Sequence, residues 1–313
     1  MAHLESVELP PLKPDQVLVR MLFAPINPAD LNVIEGSYAR RLCLEGGAVP
    51  GGEGVGRIEE VGAAVTGLPL GALVLLPTGV GTWSEACVVA ADEVVLVPRG
   101  IAPEQASMLR VNPATALRML SDFVELKPGD WLIQNAANSG VGRAVIQIAR
   151  HRGWRTINVV RREELIPELL AMGADHVVLE EEAGREQVKI MTGGAPIALA
   201  LNAVGGESAL RLANALEVGG TLVTYGAMSR QPLRIPNGLL IFQDLSWRGF
   251  WITLWYERAS PESRGALFRE LFDLAQKGVI HSLIEKIYPL AAIEAALTRA
   301  QQGHRSGKIL LAH

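Results

Sequence analysis

Residues 131–151 read WLIQNAANSGVGRAVIQIARH, an apolar run followed by small residues and then a helical pattern. The run Trp131–Gln134 predicts a buried strand, and Val141–His151 predicts a helix. Between them, the loop Ala137–Gly142 has Ala, Ser and Gly at the three glycine positions of G-x-G-x-x-G. Such a loop binds pyrophosphate because small residues let N–H groups at a helix N-terminus approach it. By itself the loop also fits an ordinary tight strand-to-helix turn.

The chain after this loop alternates between strands and helices. The further strands predicted are Thr156–Val160, His176–Leu179, Ile197–Leu201 and Thr221–Thr224. The helices predicted between them are Glu163–Met172 and Glu207–Leu216. Strands that alternate with helices of this length predict an α/β fold, a doubly wound parallel sheet of the Rossmann type.

The flanking regions have a different texture. Short β-branched runs separated by Gly and Pro predict an antiparallel, partly open barrel, with strands at Gln16–Ala24, Arg57–Val61, Leu73–Leu76, Ser84–Val89 and Val94–Val97. After the parallel sheet, the pattern predicts a helix from Pro261 to Lys277, a strand Lys286–Tyr288, a helix Ala291–Ala300 and a strand Lys308–Leu311. We therefore expect a nucleotide-binding domain, residues 111–256, inserted into a β-rich domain formed by residues 1–110 and 257–313.

Composition limits the class of protein. The chain has 313 residues, which at roughly 150 residues per domain predicts two domains. A net charge of −4 argues against a nucleic-acid partner, and two cysteines exclude a disulfide framework. No stretch approaches the ~20 apolar residues that span a bilayer, and the first residues lack the pattern of a targeting signal. We expect a cytoplasmic location and no membrane partner.

The residues after the second strand of the parallel sheet predict which dinucleotide binds. Arg161 and Arg162 stand 19 and 20 residues after Gly142, where an enzyme that uses NAD has an acid for the ribose 2′-hydroxyl. Arginines instead suit a 2′-phosphate. Between Asp130 and Glu163 there are six arginines and no acidic residue, which favours a polyanionic ligand, although a solvated helix face explains some of them. The predicted cofactor is NADPH.

No metal site is expected. Cys43 and Cys87 have no ligand spacing, and His3 is the only histidine before residue 150. Each cysteine is interpreted as a small, buried or half-buried residue. The predicted chemistry therefore proceeds without a metal.

This layout resembles the medium-chain dehydrogenase/reductase superfamily, in which a GroES-like β-rich domain encloses a Rossmann domain. Where zinc-dependent members have their Cys and Gly-His-Glu motifs, this chain reads Asn27-Pro28-Ala29-Asp30 and Gly51-Gly52-Glu53. Within the zinc-independent branch it resembles the mitochondrial-type 2-enoyl thioester reductases and their bacterial relatives over nearly its whole length. The segments that carry this resemblance are Ile26–Tyr38, Val111–Ala116, Gln134–Ala149, Thr156–Arg162, Tyr225–Met228, Arg248–Trp255 and Gly303–Leu311.

The resemblance implies roles for individual residues. Tyr38 matches the catalytic tyrosine. The implied cofactor-binding residues are Asn112, Asn138, Ser139, Gly140, Val141, Gly142, Arg161, Arg162, Tyr225, Gly226, Ala227, Met228, Phe250, Trp251, Ile252 and Lys308. The chain departs from the family at Gly52, where Asn is expected, and at Arg110, where Tyr is usual.

Chemistry supports a role for Tyr38. Hydride addition to the β-carbon of an enoyl thioester builds negative charge toward the carbonyl oxygen, and the α-carbon must then gain a proton. A tyrosine, with an unperturbed pKa near 10, remains a donor at neutral pH and can serve either need. The alternative is a loop tyrosine that only packs on its neighbours.

For other residues the sequence allows more than one role. Trp251 and Trp255 either line an apolar acyl pocket or pack in the core or a dimer interface. The expected substrate is enoyl-CoA or an enoyl-acyl carrier protein, and Arg40 and Arg41 either meet a phosphate or the acidic carrier protein or are simply solvated. An open sheet edge near Trp247–Trp255 predicts a homodimer. The alternatives to a thioester reductase are a quinone or small-enone reductase and a non-catalytic NADPH-binding protein.

Overall fold

A computed structural model describes residues 3–38 and 48–313. It divides into two compact units, Met1–Val111 with Gly265–His313, and Asn112–Arg264. The sequence predicted boundaries at 110/111 and 256/257. The second boundary lies later because a helix that begins at Ile252 continues to Arg258, and the residues that follow also belong to the second unit.

The strands, numbered along the chain, are β1 (Gln16–Pro25), β2 (Val55–Val61), β3 (Leu73–Leu75), β4 (Ala86–Ala90), β5 (Val95–Leu96), β6 (Trp131–Gln134), β7 (Arg155–Val160), β8 (His176–Leu179), β9 (Ile197–Asn202), β10 (Thr221–Thr224), β11 (Ser246–Gly249), β12 (Ile284–Pro289) and β13 (Lys308–Ala312). The α-helices are α1 (Pro28–Ile34), α2 (Pro103–Ala106), α3 (Asn112–Asp122), α4 (Gly140–Arg152), α5 (Ile166–Met172), α6 (Arg185–Met191), α7 (Gly206–Ala215), α8 (Asn237–Phe242), α9 (Ile252–Arg258), α10 (Pro261–Gln276) and α11 (Ile293–Gln301). Short 3-10 turns cover Glu163–Leu165, Glu180–Glu182 and Leu290–Ala292.

The first unit is built on a seven-stranded sheet with the order β12-β13-β1-β2-β3-β5, in which β4 also pairs with β1. The pairs that β1 forms with β2, β4 and β13 are antiparallel. Val17, Val19 and Met21 alternate inward along β1 and pack with Ile58 and Val74 in one core. This β-rich unit with its C-terminal strands confirms the fold class predicted for the flanking regions.

The second unit is built on a six-stranded parallel sheet with the order β11-β10-β9-β6-β7-β8. The chain reaches one half of the sheet through β6, β7 and β8 and the other half through β9, β10 and β11. The order therefore reverses between β6 and β9, and in open α/β sheets ligands bind beyond the carboxyl ends of the strands at such a point. The predicted Rossmann architecture is confirmed.

Local capping explains where α4 begins and ends. The Ser139 side chain accepts a hydrogen bond from the Gly142 N–H at 3.0 Å and so caps the first turn. At the other end, Gly153 has a φ of 72°, the left-handed conformation that lets a glycine end a helix. The helix therefore starts at Gly140, inside the small-residue loop and one residue before the predicted start at Val141.

Among the described residues, none of the helices is both long enough and apolar enough to cross a membrane.

Candidate active site

The loop between β6 and α4 places small residues against the start of the helix. A Cβ added to Gly142 would lie 2.6 Å from the Ala137 carbonyl oxygen, so only glycine allows this close packing. Ala136 has a φ of 48°, a left-handed conformation that is rare for a residue with a side chain. Strained backbone of this kind is concentrated at ligand-binding sites.

A buried amide pair holds the loop in place. Gln134, at the end of β6, donates from Nε2 to the Gly142 carbonyl at 2.9 Å and to Asn158 Oδ1 at 2.8 Å. Asn158, on β7, donates in turn to the His176 carbonyl at 3.0 Å. The first turn of α4 is thereby fixed to the strands beneath it.

The other predicted cofactor residues of this unit lie at the same edge of the sheet. Each group follows the carboxyl end of a strand: Arg161 and Arg162 follow β7, Tyr225–Met228 follow β10, and Phe250–Ile252 follow β11. Asn112 stands at the start of α3. Because parallel strands present their carboxyl ends at one edge, the structure brings the loop and these segments of the second unit together.

One buried atom at this edge is well suited to a bound ligand. The Tyr225 hydroxyl is buried and makes no hydrogen bond of good geometry with the described residues. Burial raises the pKa of this hydroxyl, and Ser139 is the polar neighbour that opposes the shift. The helix N-terminus provides further N–H groups that have no intrahelical acceptor. Together these donors fit a phosphate-bearing dinucleotide.

The six arginines around the loop differ in their surroundings. Arg143 pairs with Glu168 at 2.7 Å, and Arg162 pairs with Glu164 at 3.0 Å. Arg152 and Arg155 lie over tryptophan rings, and Arg150 donates to the Met172 carbonyl. Arg161 is exposed at the end of β7. The positive charge inferred from the sequence is therefore partly neutralised, because two of the six arginines are paired with glutamates.

The aromatic segment after β11 has packing partners within its own unit. Phe250 meets the ring of Phe123 edge-on, with centroids 6.0 Å apart. Trp255 lies under the guanidinium of Arg118, which is 5.0 Å from its ring centroid. These contacts favour packing against α3 for Trp255, and its role in an acyl pocket stays a prediction.

The first unit contains a buried cluster of charged and amide groups. Asn27, Asp30 and Glu53 are all buried, and Lys308 is half-buried. Asn27 donates from Nδ2 to Glu53 at 2.9 Å, and Lys308 donates to Asn27 Oδ1. Asp30 accepts from the backbone N–H groups of Asn27 and Gly52 at 2.8 and 2.9 Å.

Burial is the largest influence on the pKa of each ionisable group in this cluster. It raises the pKa of Asp30 to about 6 and that of Glu53 to about 7, with Lys308 opposing both shifts. It lowers the pKa of Lys308 to about 8, although the two carboxylates work in the other direction. The segments 27–30 and 51–53, which correspond by resemblance to the zinc motifs of other members, are thus joined by hydrogen bonds. Lys308 supplies the positive charge of the cluster.

Tyr38 is half-buried and follows α1 after a turn at Gly36, whose φ is 71°. The Ser37 N–H donates to the Asn32 carbonyl at 2.9 Å and so ties this turn to the helix. Arg40 and Arg41 lie outside the described residues. Cys43 does as well, whereas Cys87 is buried, as expected, and burial raises the pKa of its thiol.

Sequence reasoning missed several residues that organise these sites. Asn135 donates to Asn202 Oδ1 at 2.9 Å across the point where the strand order reverses, and it accepts from the Ala203 N–H at 2.7 Å. Glu53 and Glu168 were also missed. The sequence feature that could have identified Asn135 and Asn202 is a polar residue at the end of an apolar strand.

Family models match both units of the chain. The model described as "Alcohol dehydrogenase GroES-like domain" matches residues 13–99, and the one described as "Zinc-binding dehydrogenase" matches residues 140–264. With the fold and the nucleotide-binding loop, these matches define the chain as a medium-chain dehydrogenase/reductase. A human relative, the mitochondrial enoyl-[acyl-carrier-protein] reductase, is 43% identical over 99% of this chain and 84% of its own length. The chain belongs to the family of these reductases.

Solved structures agree with this placement. A protein from Bacillus thuringiensis, named as a candidate NADPH:quinone reductase, superimposes with a TM-score of 0.91 at 32% identity, covering 98% of this chain and 92% of that one. The Candida tropicalis enoyl thioester reductase Etr1p, in complex with NADP and crotonyl-CoA, gives a TM-score of 0.88 at 28% identity, covering 98% and 93%. Both subfamilies weighed from the sequence therefore occur among the structural neighbours.

Proposed function

We propose that this protein reduces the carbon–carbon double bond of 2-enoyl thioesters with NADPH. The observation that carries the proposal is the nucleotide-binding edge of the second unit, in a chain whose relatives at 43% identity are named enoyl-[acyl-carrier-protein] reductases. A solved neighbour is named as a complex with NADP and crotonyl-CoA. The substrate class follows from these names, and the cofactor from the loop and the arginines.

Different residues of the second unit would bind different parts of NADPH. Ser139 to Val141 would receive the pyrophosphate at the start of α4, and the buried Tyr225 hydroxyl, beside Ser139, would donate a hydrogen bond to it. Arg161 and Arg162 would hold the 2′-phosphate through charged hydrogen bonds. NADPH supplies the hydride when it is bound.

Tyr38 would stabilise or neutralise the negative charge that develops on the substrate during hydride addition. Its hydroxyl either donates a hydrogen bond to the thioester carbonyl oxygen as the enolate forms or gives a proton to the α-carbon. Both roles need a neutral donor, and the pKa near 10 of an unperturbed tyrosine provides one at neutral pH. The residue thereby lowers the barrier to hydride addition at the β-carbon.

The reaction should need no metal. Within residues 3–38 and 48–313 there is no group of three or more His, Cys, Asp or Glu side chains placed to hold a metal ion. We therefore expect activity to survive exhaustive chelation, and one zinc per chain whose removal abolishes turnover would contradict this.

The second candidate is a quinone or small-enone reductase. It is favoured by the solved structure named as a candidate NADPH:quinone reductase, with 32% identity and a TM-score of 0.91. The cofactor and the hydride chemistry would be the same, and only the substrate pocket would differ.

Two further features belong to the proposal. The protein would form a homodimer through the open edge of the parallel sheet at β11. It would act in the cytoplasm, whereas the curated relatives are named as mitochondrial enzymes.

The test is turnover of crotonyl-CoA with NADPH that carries deuterium at both C4 positions. We expect butyryl-CoA with one deuterium at the β-carbon, identified by mass spectrometry. The matched control is the same mixture with NADH. Failure to consume NADPH with short or long enoyl thioesters would overturn the proposal.

A further inference from the structure

Glu53 joins segments of the first unit that lie far apart in the sequence. Its Oε1 accepts from Asn27 Nδ2 at 2.9 Å, and its Oε2 accepts from the Val111 backbone N–H at 2.8 Å. Asn27 immediately precedes α1, which leads to Tyr38, and Val111 immediately precedes Asn112. One fully buried carboxylate is therefore bonded to both segments that run into predicted site residues.

The hydrogen-bond pattern favours the carboxylate form of Glu53. An ammonium group only donates, so Lys308 fixes Asn27 with its oxygen toward Lys308 and its NH2 toward Glu53. Both Glu53 oxygens then face donors, Asn27 Nδ2 and the Val111 N–H. A proton on either oxygen, or an amide in place of the carboxylate, weakens or removes one of these two bonds.

The charges around Glu53 come from three elements. Asp30 on α1 is the second carboxylate, Lys308 on β13 is its positive neighbour, and Arg305 lies beside Lys308 in the preceding loop. Burial and Asp30 raise the pKa of Glu53 to about 7, while Lys308, Asn27 and the Val111 N–H oppose the rise. The carboxylate is consequently formed as the pH rises through neutrality and is lost below it.

We propose that Glu53 is a positioning residue, which as a carboxylate with Lys308 as counter-ion holds the segments that lead to Tyr38 and Asn112. The inference rests on the proposed function for its catalytic consequence, but the holding itself is a property of the chain without ligand. Glu53 would touch neither substrate nor cofactor. It acts through Asn27 and Val111.

The first test is amide hydrogen exchange of the ligand-free protein, followed by mass spectrometry on short peptides that include Val111. After correction for the intrinsic pH dependence of exchange, we expect the Val111 amide to be at least about tenfold more protected above pH 7 than below it. Glu53→Gln should exchange fast on both sides of neutrality. Glu59→Gln, the same change at an exposed glutamate that pairs with Arg20, should behave like the wild type.

Two measurements keep the proposal falsifiable if Glu53→Gln fails to fold. The wild-type pH dependence needs no variant. Lys308→Met, a neutral side chain of similar length, should move the midpoint of Val111 protection to higher pH, because the lysine charge lowers the pKa of Glu53. Protection that does not change with pH in the wild type would overturn the proposal.

The second test concerns catalysis. For crotonyl-CoA, kcat/KM of the wild type should fall as the pH drops below about 7, and in Glu53→Gln it should be about tenfold lower and lack this acid limb. A Glu53→Gln enzyme that keeps the limb would contradict the positioning role. A protein with no thioester activity at all would contradict the proposed function instead, and the exchange experiment would still decide the inference.

Discussion

Arg143 and Glu168 form a bidentate ion pair, with Nη1–Oε1 and Nη2–Oε2 distances of 2.7 and 2.8 Å. The same arginine donates from Nε to the Asn138 carbonyl at 3.0 Å. Arg143 is nearly buried, and Glu168 on α5 is partly exposed. The pair therefore anchors the nucleotide-binding loop through the Asn138 carbonyl. Because its charge is paired with Glu168, Arg143 stabilises the loop and does not add an unpaired positive charge to it.

Glu168→Gln should loosen this loop. The loss of one partner leaves the Arg143 charge poorly compensated, and we expect a loss of about 1–2 kcal/mol in stability, reduced from the cost of a fully buried pair because Glu168 is partly exposed. NADPH affinity should fall several-fold. Glu186→Gln, an exposed glutamate on α6, is the control. Thermal unfolding and NADPH titration measure both effects, and unchanged values would remove the loop-anchoring role.

The pair also predicts a pH dependence. The Arg143 guanidinium lowers the folded-state pKa of Glu168, so its contribution to stability is present above the unfolded pKa, near 4.5, and is lost as the pH falls through the folded value. The difference in Tm between wild type and Glu168→Gln should therefore be constant at neutral pH and shrink in acid. A difference that stays constant into acid would argue against the ion pair.

Arg161 and Arg162 should determine the preference for NADPH over NADH. A charged hydrogen bond contributes about 1.5–3 kcal/mol, so Arg161→Ala with Arg162→Ala should weaken NADPH binding at least about tenfold and leave NADH binding nearly unchanged. Arg155→Ala, at the opposite end of β7, is the matched control. Equal wild-type affinities for NADPH and NADH would contradict a role of these arginines in cofactor preference.

Tyr38→Phe should lower kcat by roughly 10²–10⁴-fold, because phenylalanine cannot donate to the developing enolate. NADPH affinity should barely change. Tyr288→Phe, a half-buried tyrosine of β12 in the same unit, is the control and should keep wild-type turnover. If Tyr38→Phe turns over at a near-wild-type rate, the tyrosine has only a packing role.

The edge of the parallel sheet should form the dimer interface. Strand β11 ends the sheet order, and Ile241 and Phe242 just before it are 68% and 82% exposed. Exposed apolar groups beside an unpaired strand are typical of an interface. Phe242→Asp should shift the protein from dimer to monomer in light scattering, whereas Leu70→Asp in the other unit should not. A monomeric wild type at micromolar concentration would end this hypothesis.

Local patterns were sufficient for five of the six strands of the parallel sheet. Runs such as Trp131–Gln134 and Thr221–Thr224 are apolar and bounded by turn residues, so their strands were predicted from sequence. Strand β11 was not, because the segment Ser246–Gly249 is largely exposed and becomes a strand only through its pairing with β10.

The polar networks could not be predicted because their members are distant in sequence. Asn27 bonds to Glu53 26 residues away and to Lys308 281 residues away. Nothing local to any of these residues indicates its partners. The resemblance identified Lys308 as a cofactor contact, and the structure adds its bond to Asn27, which only the fold creates.

Whether the substrate is an enoyl thioester is tested by comparing kcat/KM for crotonyl-CoA, a long enoyl-CoA and a 1,4-quinone under one set of conditions with NADPH. We predict that an enoyl thioester gives a kcat/KM at least about tenfold above that of the quinone, a difference of about 1.4 kcal/mol in transition-state binding. A higher kcat/KM for the quinone than for either thioester would contradict the claim and favour the quinone reductase.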